Sequence, residues 1–222
     1  TRLSPRQKMI NLMYIVLTAM LALNVSSDVL NGFTQVEEGL TRTNDNVEQR
    51  NAAILGTLRD FAEKNPDKGQ RWYDKAAEVR GVTEAICVEI DSIKGLIVKE
   101  ADGDDGDVRD IQNRDNLEAA SVVMLSGGNP LGRRLRANVE GYREYVSSLM
   151  TDSVKRDNVL KALATDAVQR KGSIGKMAWE ESKFDNQPVV AAVTLLTKLQ
   201  NDIKYAEGEA LQTLLANVDA GD

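Results

Sequence analysis

The 222-residue chain has no histidine and a single cysteine. The lack of histidine excludes His-based catalytic triads, His-ligated metal sites and a histidine pH switch. One cysteine excludes both an intrachain disulfide framework and a cysteine-based zinc finger. Aromatic residues make up only 5% of the chain and there are only 4 prolines, which disfavours a strand-rich sandwich and favours helices.

The charge is acidic overall and unevenly spread. The chain has 28 Lys+Arg against 34 Asp+Glu, a net charge of −6 that argues against a nucleic-acid partner. The first eight residues contain Arg2, Arg6 and Lys8 and no acid. We therefore predict that residues 1–8 form a basic tail in a different compartment from the acidic remainder.

The basic tail leads into an uncharged segment, residues 9–25, in which all but four residues are apolar. As a helix this segment would span ~25 Å, close to the ~30 Å hydrocarbon core of a bilayer. Arg6 and Lys8 can snorkel to extend the span. Because bases precede the segment and acids follow it, we predict a single membrane span with a cytoplasmic N-terminus. Residues 26–222 would then form a domain outside the cytoplasm.

Two other interpretations of residues 9–25 stay open. One is a cleaved signal peptide with a weak cleavage site at residues 25–27, although the apolar region is long and carries polar residues. The other is a buried helix of a soluble protein, which the change from bases to acids across the segment disfavours.

One side of the predicted span is polar. At 100° per residue its polar side chains fall within ~60° of one another. They are Gln7, Asn11, Tyr14 and Thr18. Polar groups are costly in lipid, so this stripe should contact protein in a dimer or line an aqueous or proton-carrying passage. The span contains no acid, so a protonatable carboxylate would have to come from another chain.

The pattern of apolar residues in the rest of the chain predicts an all-α helical bundle. Apolar residues recur every seven positions through residues 28–64, 68–100 and 188–218, which indicates long helices packed at shallow angles. In the first of these regions the series is Phe33, Leu40, Val47, Ile54 and Phe61. We predict shorter helices over residues 115–125, 130–150 and 152–170. No run alternates with a period of two, so we predict no sheet.

Several local features invite chemical interpretations that their spacing does not support. The acidic residues between 100 and 110 lack calcium-loop spacing, so we expect a solvated loop and no metal site. The glycine-rich segment 126–132 lacks the ending of a phosphate loop and predicts a turn with Asn129 as a helix N-cap. No pair of carboxylates stands out, so we predict no enzyme active site and no cofactor.

Other residues have structural interpretations. Arg133, Arg134 and Arg136 should form a solvated face or intrachain ion pairs, with contact to a neighbouring chain as the alternative. Cys87 should be an inert core thiol, with an intermolecular disulfide as the alternative. The aromatic residues expected to anchor packing near helix ends are Trp72, Tyr73, Trp179 and Phe184.

Two stretches resemble a known family. Residues 3–14, with the sequence LSPRQKMINLMY, and residues 17–26, LTAMLALNVS, resemble the N-terminus of the GldM/PorM family of gliding-motility and type IX secretion proteins. A looser resemblance follows near the C-terminus. It comprises Trp179, Phe184 and Pro188, then a long helix with Gln200, Asp202 and Glu207. Family members are longer, so the chain looks like the membrane anchor and first periplasmic domain.

The resemblance implies a subunit of a motor driven by proton motive force. In such a motor a homodimer lies inside a ring of about five copies of a GldL/PorL-type multi-span membrane protein. The family's functional arginine corresponds to Arg6, which is thought to contact a glutamate of that ring. Later strand-rich domains would reach the secretion components at the outer membrane.

Two rival functions belong to other classes. A membrane-anchored receptor with a periplasmic ligand-binding bundle would normally cross the membrane a second time, and residues 188–222 are too polar to do so. An envelope-anchored hydrolase is disfavoured because the chain lacks histidine and any catalytic motif.

Overall fold

The computed structural model describes residues 4–220, except for the side chains of residues 18–26. That part of the chain folds into seven α-helices and one two-stranded ribbon, which confirms the helical fold class. The elements are α1 (Pro5–Lys64), α2 (Pro66–Asp102), α3 (Ala119–Leu125), α4 (Leu131–Ser148), α5 (Ser153–Ala162), β1 (Val168–Gln169), β2 (Lys176–Met177), α6 (Trp179–Phe184) and α7 (Val189–Ala220).

Proline and a capping serine define where helices begin. The Ser4 hydroxyl accepts a hydrogen bond from the backbone N–H of Gln7 at 3.1 Å, and Pro5 occupies the first helical position. Proline suits that position because its missing N–H would have no partner within the helix. The other prolines also stand at helix starts: Pro66, Pro130 and Pro188. All four prolines therefore mark the start of a helix, and none interrupts one.

The core lies among the three long helices. The heptad positions predicted in α2 and α7 are buried, except that Trp72 is half-buried. The shorter helices α3 to α6 extend this core, with Leu135, Val139 and Phe184 fully buried. Contacts between α1 and α7 advance in the same direction along both helices, from Thr194 beside Phe33 to Lys204 beside Asn51. The helices α1 and α7 are therefore parallel.

The buried side of α1 differs from the predicted one. The predicted series, from Phe33 to Phe61, is half-buried along its whole length. Apart from Ala62, the residues of α1 whose described side chains are buried lie three positions earlier in the heptad: Leu30, Asn44, Asn51 and Leu58. Two polar residues occupy these central positions, and a search for apolar periodicity passes over them.

The prediction of no sheet is wrong for one short ribbon. Strands β1 and β2 pair antiparallel, with Val168 opposite Met177 and Gln169 opposite Lys176. Two glycines with positive φ, Gly172 at 71° and Gly175 at 113°, allow the chain to turn between the strands. Strands of two residues are too short to produce a detectable alternation. The helix predicted over 152–170 accordingly ends at Ala162.

The start of α4 also differs from the prediction. Its N-cap is Pro130, not Asn129, and no side chain caps it. The second helical residue, Gly132, lies against both α3 and α6. A Cβ atom there would come within 2.8 Å of the Met124 carbonyl oxygen and 2.9 Å of the Glu180 Cβ. A glycine therefore allows the three helices to approach closely at this point.

We expect Gly132→Ala to lower the free energy of unfolding by about 1–3 kcal/mol, because backbone must move to make room for the methyl group. The matched control is Gly141→Ala in the same helix, where nothing lies within 4 Å of the added Cβ. That change should stabilise by about 0.5–1 kcal/mol through helix propensity. Urea denaturation measures both values. Equal effects at the two glycines would contradict the close approach.

Within the described part of the chain, no helix carries an apolar stretch long enough to span a bilayer. The predicted span, residues 9–25, includes residues 18–25, whose side chains lie outside that part.

Candidate functional site

The predicted contact residues lie on the first turns of α1. Arg6, Gln7, Asn11 and Tyr14 are all exposed, Tyr14 by 72% of its surface. The Gln7 amide donates to the Asn11 side-chain oxygen at 3.0 Å, so these two residues share one side of the helix. Thr18 belongs to the same predicted stripe, but its side chain lies outside the described residues.

These residues and the bundle share one helix. Helix α1 continues without a break across the predicted boundary at residues 25 and 26 and ends at Lys64. At 1.5 Å per residue its 60 residues span about 90 Å. No proline follows Pro5 in this helix, so it has none of the kinks that proline causes. Arg6 and the bundle are therefore joined by one helix with no intervening loop.

A buried polar cluster holds α1, α2 and α7 together. Its centre is Glu207 of α7, which is completely buried. One Glu207 carboxylate oxygen accepts hydrogen bonds from Asn51 of α1 and Arg80 of α2, both at 2.9 Å. Arg80 also forms an ion pair with Glu48, which in turn binds Lys204 at 3.1 Å. The cluster thus joins all three long helices through charged hydrogen bonds.

Burial dominates the electrostatics of this cluster. It raises the pKa of Glu207, although Arg80 and Asn51 act in the opposite direction. Among the described residues, the second carboxylate oxygen of Glu207 and the side-chain oxygen of Asn51 are buried and have no hydrogen-bond partner. Unpartnered buried acceptors are costly, so the cluster is not optimised for stability.

A second cluster lies nearer the predicted membrane segment. Lys94 of α2 is buried and donates to the Gln200 side-chain oxygen at 2.5 Å. Glu37 of α1 accepts a hydrogen bond from Thr197 of α7 at 2.7 Å. Burial raises the pKa of Glu37 and lowers the pKa of Lys94. Both side chains line an open groove of about 990 Å³ that also includes Asp91.

Sequence reasoning missed both clusters, although a signal was present. Glu37, Asn44 and Asn51 occupy consecutive heptad positions between Leu30 and Leu58. Polar residues at buried heptad positions indicate a specified pairing partner. Their partners on α7 lie more than 150 residues away in the chain, so their identity could not be predicted. Two of the three α7 residues quoted for the resemblance, Gln200 and Glu207, belong to these clusters.

Within the described residues, the acidic loop between residues 100 and 110 has a structural role. Burial raises the pKa of Asp102, but hydrogen bonds from the backbone N–H groups of Gln112 and Asn113 outweigh it, so the pKa is lowered. Asp102 thereby holds the acidic loop closed. Within residues 4–220, no group of three acidic or cysteine side chains is close enough to bind a metal ion.

Two expectations about arginine and aromatic residues are confirmed. Arg136 lies 3.4 Å from Glu180, an intrachain ion pair between α4 and α6. Trp179 and Phe184, at the two ends of α6, pack edge to face with ring centroids 6.1 Å apart, and Phe184 is fully buried. These aromatic side chains anchor the short helix to the core.

Cys87 is half-buried on α2, and burial raises the pKa of its thiol to about 11. Since the thiolate is the reactive form, we expect slow alkylation by iodoacetamide near pH 7.5 in the folded protein and fast alkylation in urea. The control is Ser92→Cys in a Cys87→Ala background, because Ser92 is exposed on the same helix. Mass spectrometry measures the rates. Fast labelling of folded Cys87, or a disulfide dimer on a non-reducing gel, would contradict an inert thiol.

The fold and its clusters define a class of protein: a helical bundle carried on a first helix that extends well beyond it, with polar contacts linking that helix to the last one. A family model described as the GldM N-terminal domain matches residues 28–217, so the chain belongs to the GldM family. No curated protein matches the chain. The family comprises inner-membrane-anchored components of the gliding-motility and type IX secretion machinery, with periplasmic domains, and it is a structural or motor family, not an enzyme family.

Proposed function

We propose that the chain is a subunit of a membrane motor that powers type IX secretion and gliding motility. Its N-terminal segment, residues 9–25, crosses the inner membrane once, and residues 26–222 form a periplasmic domain. The chain acts as a homodimer inside a ring of GldL/PorL-type subunits, and proton motive force moves one component against the other. The family match over residues 28–217 is the observation that carries this proposal.

The geometry of α1 supports a role in transmission. One helix joins the predicted ring contact at Arg6 to the bundle, over a length of about 90 Å. Arg6 is exposed and makes no ion pair within the described residues, so its guanidinium is available to a carboxylate of another chain. Gln7, Asn11 and Tyr14 are exposed on the same part of the helix and are suited to contact the ring or the second copy.

Deletion of the gene, followed by complementation, tests the proposal. The deletion strain should lose secretion of type IX substrates and gliding. Expression of the wild-type gene in that strain should restore both. Native mass spectrometry of the gently purified complex should show two copies with about five copies of a multi-span partner. A homodimer alone that binds small ligands would indicate a receptor, and unchanged secretion in the deletion strain would contradict the motor role.

A further inference from the structure

The contact between α1 and α7 contains a repeated hydrogen bond. The Asn44 side-chain amide donates to the Thr197 backbone carbonyl at 3.3 Å. One heptad further along α1, Asn51 donates to the Lys204 carbonyl at 2.9 Å. Thr197 and Lys204 are also one heptad apart, so both bonds join residues separated by 153 positions in the chain. The two bonds form together in a single axial register of α1 on α7.

Side-chain contacts fix the same register. Asn201 donates to the Asn44 side-chain oxygen at 2.9 Å, and Asn51 donates to Glu207 at 2.9 Å. Asn44 and Asn51 are only 7% and 0% exposed. If one helix moved along the other by a turn, the Asn44–Asn201 and Asn51–Glu207 bonds would both break inside the contact, and the loss of buried hydrogen bonds is costly.

Close approach of the helices reinforces this pairing at Asn51. Gly208 of α7 faces α1, and a Cβ atom there would lie 2.7 Å from the Asn51 side-chain oxygen and 2.5 Å from an Arg50 nitrogen. The glycine thus leaves room for the polar contact.

We propose that Asn44 and Asn51 are positioning residues that lock the axial register of α1 on α7, so that displacement of α1 reaches α7 without slip. Buried asparagines fix helix register in coiled coils at some cost in stability, which is consistent with the unpartnered oxygen of Asn51. The register itself is independent of the motor role, whereas its use in transmission rests on the proposed function.

The double variant Asn44→Leu/Asn51→Leu tests the lock in the full chain in native membranes. Spin labels are attached at Glu38→Cys on α1 and Ala216→Cys on α7, both exposed sites that lie about 37 Å apart along the helix axis, in a Cys87→Ala background. Labelled chains are diluted with unlabelled chains so that only the intrachain pair contributes, and pulsed electron paramagnetic resonance should then give one narrow distance for the parent protein. The double variant should add a second population shifted by about 5 Å, the rise of one helical turn. Secretion and gliding should fall while abundance is maintained.

The matched control is Asn46→Leu, an exposed asparagine of α1 without a side-chain hydrogen bond in the described part of the chain. It should change neither the distance nor secretion. If the double variant loses its helical circular dichroism, the single variant Asn44→Leu carries the same test with one repeated bond removed.

The outcomes test the register lock and its role in transmission separately. A single unchanged distance in a folded variant would overturn the register lock, whatever happens to secretion. A second distance with normal secretion would overturn the transmission role of the lock. Normal secretion in the deletion strain would instead overturn the proposed function and leave the distance measurement valid.

Discussion

Replacing Arg6 with alanine should abolish secretion and gliding without changing folding or abundance. Arg6 is exposed on the first turns of α1 and makes no ion pair within the described residues, so its loss removes no packing from the bundle. The planar guanidinium of arginine can pair with a carboxylate through two parallel hydrogen bonds. If the motor ring supplies that carboxylate, alanine removes the contact on which coupling depends.

Secretion assays, gliding assays and immunoblots of membrane fractions measure this effect. The matched control is Arg59→Ala, an exposed arginine of the same helix within the bundle, which should behave like the wild type. The Arg6→Lys variant keeps the charge but loses the planar fork, so partial function would indicate that charge alone supports some coupling. Normal secretion by Arg6→Ala at wild-type abundance would exclude a role for this residue.

Replacing Arg80 with alanine should lower the free energy of unfolding by about 3–5 kcal/mol at neutral pH. The variant leaves Glu207, which is completely buried, without its cationic partner. Glu48 loses the same partner, but it is partly exposed and keeps Lys204. The uncompensated charge of Glu207 is therefore the main cause of the loss.

The loss should depend on pH. Burial raises the pKa of Glu207 above its ordinary value of 4.5, so the stability that this carboxyl contributes is fully present below that value and declines as pH rises through the folded-state pKa. Arg80 lowers the pKa of Glu207, so without it that pKa rises further and the decline continues to higher pH. The difference between variant and wild type should therefore be largest near pH 7 and shrink towards pH 4.

Urea denaturation across this pH range measures the effect. The Glu207→Gln variant completes a double-mutant cycle with Arg80→Ala. Arg80→Ala should cost much less in a Glu207→Gln background, because no buried charge is left without a partner. Arg134→Ala, an exposed arginine of α4, serves as the surface control and should be nearly neutral. Equal costs of Arg80→Ala in both backgrounds would contradict the assignment to Glu207.

The long helices and their limits could be predicted because the signals are local. Seven-residue spacing in α2 and α7 identified residues such as Ile90 and Leu196, and both are buried. Prolines marked helix starts because the missing N–H is tolerated there. The ribbon between Val168 and Met177 could not be predicted, because two-residue strands depend on glycine turns and carry no periodic pattern of their own.

The buried clusters could not be predicted in the same way. Glu207 and Asn51 are separated by 156 residues, and nothing in their local sequence identifies one as the partner of the other. The seven-residue spacing of apolar residues is visible in the sequence, but the polar residues at the buried positions of α1 do not contribute to it. The role of Arg6 stays a prediction, because the family match begins at residue 28.

The parallel arrangement of α1 and α7 has a mechanical consequence. The start of α1 and the end of α7 lie at opposite ends of the bundle, since both helices run in the same direction. A pull between these two ends would load the α1–α7 contact in shear. In shear, the bonds of Asn44 and Asn51 bear the tension together, whereas peeling would break them one after the other. The domain is therefore built to resist stretching along its long axis.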